Sequence, residues 1–149
     1  RDAVAALKIS GVVERIGDYA KNIAKRVPLL NGASDIEPLS LLPEMARIAT
    51  DMVTDVLRAF VERDADAAVR VCQRDQAVDD FYDSIFRTLL THMMENPHNI
   101  GQAAHLLFVA KNLERVGDHA TNIAEMVYYA ATGDHMVEPP KRKKRRGAA

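Results

Sequence analysis

Glu114-Arg115-Val116-Gly117-Asp118-His119-Ala120-Thr121-Asn122-Ile123-Ala124 sets a carboxylate at one position, a second four residues on, and an amide four beyond that. On an α-helix the three side chains fall along one stripe. Two acids four apart cost an isolated helix roughly a few tenths of a kcal/mol, so helix propensity does not account for the pair. The pattern occurs again as Glu14-Arg15-Ile16-Gly17-Asp18-Tyr19-Ala20-Lys21-Asn22-Ile23-Ala24, at an offset of one hundred residues throughout. A repeat of that length marks two copies of a domain-sized unit rather than a solenoid of short ones.

Around the second copy the apolar residues step by three and four without a break: Leu106, Val109, Leu113, Val116, Ala120, Ile123 and Val127. This is the seam of a helical bundle, and it predicts one helix from Pro97 to about Thr132, closed by Gly133-Asp134. Asn96-Pro97 supplies an N-cap and a first-turn proline, so the preceding helix stops at about Glu95. Asp64 and Asp66 offer caps for its start. Before it, Met45, Ile48, Met52, Val56, Ala59 and Phe60 line one side of a helix from about Leu39 or Pro43 to Glu62. The first helix covers residues 1 to about 27, with Val13, Ile16, Ala20, Ile23 and Val27 as its expected apolar face, and Pro28 and Asn31-Gly32 stop it.

No stretch alternates with period two, so the fold class is all-α. The chain divides into a first helix (1–30), a linker (31–38), an antiparallel three-helix bundle (39–134) and a tail (135–149). Lys141 to Arg146 is a run of six cations, and without it 14 positive residues face 21 negative ones, a balance of −7. The folded body is therefore acidic, which argues against a nucleic-acid partner, and the tail is expected to be disordered. An apolar content of 48% and a charged content of 28% are those of a globular protein. The single cysteine, Cys72, forbids an internal disulfide and fits a reducing compartment. No apolar run approaches the roughly 20 residues of a membrane span.

Antiparallel neighbours joined at Asn96-Pro97 bring level those residues whose numbers sum to about 193. Asp75 then stands opposite Asp118, and Asp79 opposite Glu114. The third helix thus adds its own acid pair at the height of the motif. With helix axes about 8–10 Å apart, four carboxylates converge on one patch beside the apolar seam. All-oxygen clusters of this kind suit hard cations: iron, manganese, magnesium and calcium, with zinc admissible. The competing reading pairs each acid within its own helix, Lys111 with Glu114 and Arg115 with Asp118.

The duplicated Glu-Arg-(Ile/Val)-Gly-Asp-x-Ala-x-Asn-Ile-Ala segment, with an upstream Asp-x-x-x-Asp helix, resembles the PhoU family of phosphate-signalling proteins. The resemblance covers residues 1 to about 134. It implies an all-helical protein of two similar three-helix bundles, of which this chain holds the last helix of the first and the whole of the second. It implies metal clusters, one on Asp75, Asp79, Glu114 and Asp118, and another involving Glu14 and Asp18, whose own acidic partners lie outside the sequence. Iron is the first expectation, with zinc, manganese or magnesium as alternatives, and Asn22 and Asn122 are candidate supporting groups.

The same resemblance implies a cytoplasmic, non-enzymatic negative regulator of the phosphate-starvation response and of phosphate uptake. Its partners would be the phosphate ABC transporter and a sensor histidine kinase, with membrane association only through them, and it would form a homo-oligomer. Two rivals remain from other classes. A di-metal redox or storage bundle needs Glu-x-x-His on one helix, and the one candidate, Glu95 with His98, straddles the Asn96-Pro97 break. A nucleic-acid module would rest on the tail alone. Asp51 and Asp55 have motif spacing too, and read as ordinary solvated acids. Finally, the first helix must cover its apolar face, against the bundle or a second copy.

Overall fold

The computed structural model describes residues 1–30 and 40–137. Among the described residues there are four α-helices: α1 Asp2–Arg26, α2 Leu41–Glu62, α3 Ala65–Glu95 and α4 Ile100–Thr132. Among the described residues there is no strand. The linker 31–38 and the cationic run Lys141 to Arg146 lie outside the described residues, so the expectations placed on them go no further here.

The local signals act as their chemistry demands. Asp64 accepts a hydrogen bond from the Ala67 N–H at 2.9 Å and starts α3, whereas Asp66 falls inside the first turn. Asn96 accepts from the His98 N–H at 3.0 Å. Pro97 opens a short 3-10 turn, Pro97–Asn99, and α4 begins only at Ile100. Between α2 and α3 the chain reverses at Arg63, which takes the left-handed conformation with φ 55°. At the far end of α4, Gly133 takes φ 82° and its N–H bonds to the Tyr129 carbonyl.

α4 packs against each of the other three helices. Every residue of its expected seam, Leu106 to Val127, is buried. Met45, Met52 and Val56 of α2 and Val71, Val78, Ile85 and Leu89 of α3 complete the core. The register across the α3–α4 turn is the expected one. Cys72 Sγ lies 4.0 Å from the Thr121 carbonyl oxygen, and Lys111 Nζ sits 5.1 Å from the Tyr82 ring centre. Both pairs sum to 193.

α1 runs antiparallel to α4 along its length. Arg26 stacks 3.8 Å over Phe108 with Nη1 2.9 Å from His105 Nδ1, and Gln102 Nε2 donates to the Leu29 carbonyl at 3.0 Å. At the other end, Arg63 pairs with Asp2 at 2.9 Å. The first helix therefore covers an apolar face on the bundle, rotated from the expected one so that only Ile16 and Ile23 are shared. Ala5 and Ile9 are buried and Val12, Ile16 and Ile23 pack on the core, while Val13 and Val27 are 37% and 58% exposed and Ala20 is exposed too. The expected face is the counterpart of the α4 seam, which meets α2 and α3. No described helix covers that side of α1, and the helix turns toward α4 the narrower stripe that fits a single neighbour.

Candidate metal centre

Continuing the three-and-four spacing of the α3 core, Ala68, Val71, Val78, Ile85 and Leu89, leaves two inward positions filled by Asp75 and Tyr82. An aspartate in a seam needs compensation, because a buried charge is costly unless it is paired or coordinated. Asp79 lies one turn on. From α4, Asp118 joins them, so that one carboxylate oxygen of each of the three lies within 4.8 Å of the others. Asp75 and Asp79 are half-buried and Asp118 is exposed, which leaves the cluster open to solvent on one side.

α3 and α4 come this close because of Gly117. A Cβ there would meet Asp75 Oδ1 at 3.1 Å and Val78 Cγ1 at 3.3 Å. Glycine thus makes room for the carboxylate where the two helices cross.

Glu114 departs from the four-carboxylate expectation. It is buried, and its Oε2 lies 3.2 Å from Lys111 Nζ, which the Tyr82 ring also faces. Both residues lie on one helix face, three apart, and the ammonium satisfies the glutamate before a neighbouring helix can use it. The within-helix contact forms at Glu114, and among the described residues the group of acids within ligating distance of one another is Asp75, Asp79 and Asp118. Glu114 also sits in the packed interior rather than beside it.

The first copy of the motif is open. Glu14 and Asp18 are exposed on α1, and among the described residues no other acid forms a ligating group with them. Asn22 is half-buried, and Asn122 lies exposed in a groove between α1 and α4. At the centre of the α1–α4 contact the two variable motif positions meet. Tyr19 Oη lies 3.5 Å from His119 Nε2, with the rings edge to face. Asp51 and Asp55 are paired with arginines, Asp51 with Arg47 and Asp55 with Arg74. Glu95 ends α3 and His98 stands in the following turn, so no Glu-x-x-His site forms.

Three residues of consequence escaped the spacing argument. Gly117 stands in the motif, but motif spacing does not show that Asp75 and Val78 press on it. Tyr82 fills the seam position one heptad beyond Asp75, a signal that extending the core periodicity would have found. Asn112 is fully buried, its Nδ2 donating to the Phe108 carbonyl at 2.8 Å while its Oδ1 has no hydrogen-bond partner among the described residues.

The aspartate cluster fits a hard divalent or trivalent cation. Oxygen donors on one ion, with bonds of about 2.0–2.5 Å, stand no more than about 5 Å apart, and the observed spacing meets that condition. Residues 42–127, from α2 through most of α4, match the PhoU domain. The chain belongs to the PhoU domain family. It is 54% identical over 143 residues to the phosphate-specific transport system accessory protein PhoU homolog of Zymomonas mobilis, across 96% of this chain and 60% of that protein. To the homolog of the same description in Caulobacter vibrioides it is 49% identical over 137 residues, across 91% and 60%. The chain thus spans about 60% of the length of these PhoU relatives.

Solved structures agree on the fold. The crystal structure of PhoU from Pseudomonas aeruginosa superposes with a TM-score of 0.83 at 36% identity, over 88% of this chain and 63% of that one. The phosphate transport system regulatory protein PhoU from Streptococcus pneumoniae gives 0.81 at 27% identity, over 91% and 64%. No helix among the described residues is long and apolar enough to cross a membrane.

Proposed function

We propose that the chain acts as an accessory regulator of phosphate transport, a negative regulator of the phosphate-starvation response and of phosphate uptake. It works in the cytoplasm, without turnover of its own, by contact between the phosphate ABC transporter and the sensor histidine kinase. One observation carries the reading: residues 42–127 match the PhoU domain, and relatives up to 54% identical bear the description of phosphate-specific transport accessory proteins.

In this reading Asp75, Asp79 and Asp118 hold the metal, iron first, with zinc, manganese or magnesium as alternatives. A bound cation supplies positive charge that offsets the carboxylates and ties α3 to α4. The residues themselves do the rest. Asp75 and Asp79 anchor the site from the half-buried face of α3, and Asp118 carries it to the surface where a partner can reach it. Lys111 keeps Glu114 neutralised one turn away. Glu14 and Asp18 complete a second site only with acids from outside this sequence.

The test is co-purification. The full chain, expressed in phosphate-replete cells that lack their own copy, should retain the transporter and the kinase and should lower a phosphate-starvation reporter. Retention of neither partner, with the reporter unchanged, would sink the reading.

A further inference from the structure

Between α1 and α4 lies an open groove of about 740 Å³. Its α1 wall carries Lys8 and Arg15, two turns and so about 10 Å apart, while at the end of the groove Arg1 reaches across to α4, its guanidinium against Gly133. Its floor is apolar: Val12 from α1, with Met126 and Tyr129 from α4. The Tyr129 ring is held by stacking on His135, centres 5.0 Å apart. Lys8 and Arg15 make no ion pair or hydrogen bond among the described residues. Glu125 is the one acid among the described lining residues. A cationic rim on an otherwise acidic body is the groove's distinguishing property.

We propose that this groove receives an acidic amphipathic helix of a partner protein. Carboxylates seven residues apart on that helix meet Lys8 and Arg15, and its apolar stripe lies on Val12, Met126 and Tyr129. The spacing selects against a compact anion, which can reach only one cation at a time. The floor selects against a uniform polyanion, which would leave the apolar side chains uncovered. The proposal deepens the contact reading above and rests on it: it names the face through which one contact is made.

The experiment uses the full chain with 13C-labelled methionine methyl groups. The probe is a synthetic helix of about 20 residues with Glu at every seventh position and Leu at the intervening third and fourth positions, and the control carries Lys in place of Glu. The acidic helix should shift the Met126 methyl signal and bind at least about ten-fold more tightly than the basic one at low salt, the difference shrinking as salt is added. The double variant Lys8→Glu/Arg15→Glu, changed only at exposed positions, should reverse the preference. An unshifted Met126 signal, equal affinities, or a preference that survives the double variant each overturn the proposal. Anionic phospholipid vesicles that displace the acidic helix, and that lose binding in the same variant, would reassign the groove to a membrane surface. If the helix fails while the transporter and kinase still co-purify, the groove proposal falls and the contact reading stands.

Discussion

Gly117 and Asp75 approach so closely that the smallest side chain on the glycine would lie 3.1 Å from the aspartate Oδ1. Gly17, the same residue in the duplicated motif, has nothing within 4 Å of its missing Cβ. One copy of the motif is filled by a neighbouring helix, and the other is not.

The two glycines should therefore respond in opposite directions to alanine. Gly17→Ala gains helix propensity at an open site and should stabilise this chain by up to about 1 kcal/mol. Gly117→Ala gains the same propensity but crowds Asp75 and the buried Val78, an overpacking cost of about 1–3 kcal/mol. Denaturant titration should show the first variant more stable than the parent and the second less. Gly117→Ala at least as stable as Gly17→Ala would mean that α3 gives way without cost.

The three aspartates should behave as a unit from which Glu114 stands apart. Elemental analysis of purified protein should find metal in the parent and in Glu114→Gln, and little in Asp75→Ala, Asp79→Ala or Asp118→Ala. Without metal the sign of the stability effect should reverse. Asp118→Asn removes one of three like charges within 4.8 Å and should stabilise the metal-free chain by about 1 kcal/mol. With metal present it should destabilise the protein, since binding at 100 times Kd contributes about 2.7 kcal/mol. Loss of metal in Glu114→Gln equal to that in Asp118→Ala would restore the four-carboxylate site.

α1 depends on α4 alone for most of its burial, so its anchors can be tested singly. Ile9 is 4% exposed, and Ile9→Ala should cost about 2–4 kcal/mol. Arg26→Ala removes the stack on Phe108 and the contact with His105, for about 1–2 kcal/mol. Hydrogen exchange should quicken across Asp2–Arg26 in both variants while α2 and α3 keep their protection. Uniform quickening through all four helices would show that α1 is part of one cooperative unit.

Asn112 presents a buried acceptor without a hydrogen-bond partner among the described residues. Its replacement by a near-isosteric apolar residue removes the cost of that group, so Asn112→Leu should raise stability by about 1–2 kcal/mol in chemical denaturation. A marked loss would show that the amide is satisfied in solution by a group that the leucine displaces.

Much of the architecture was legible in the chain because it is local. Helix ends follow from Asp64 and Asn96, whose side chains cap the backbone within three residues. The α4 seam follows from its own periodicity. The short turn at Asn96-Pro97 leaves two antiparallel helices one sensible register, so Asp75 and Asp118 could be set level from residue numbers alone. The sequence reading set four carboxylates on two helices, Asp75, Asp79, Glu114 and Asp118, of which the structure groups the three aspartates.

What the sequence by itself determined was an all-helical chain, a duplicated motif and the level at which its acids meet. Tertiary structure alone decided the rest, because each remaining question depends on which neighbours surround a helix. Two overlapping stripes of α1 are apolar enough to bury; with no described helix beside Val13, Ala20 and Val27, Ala5, Ile9 and Val12 join Ile16 and Ile23 against α4 instead. Glu114 is level with Asp79 in number, but an ammonium 3.2 Å away on its own helix claims it first. The closeness of Gly117 to Asp75 rests on differences of a few tenths of an ångström in helix packing, a quantity that residue spacing does not encode.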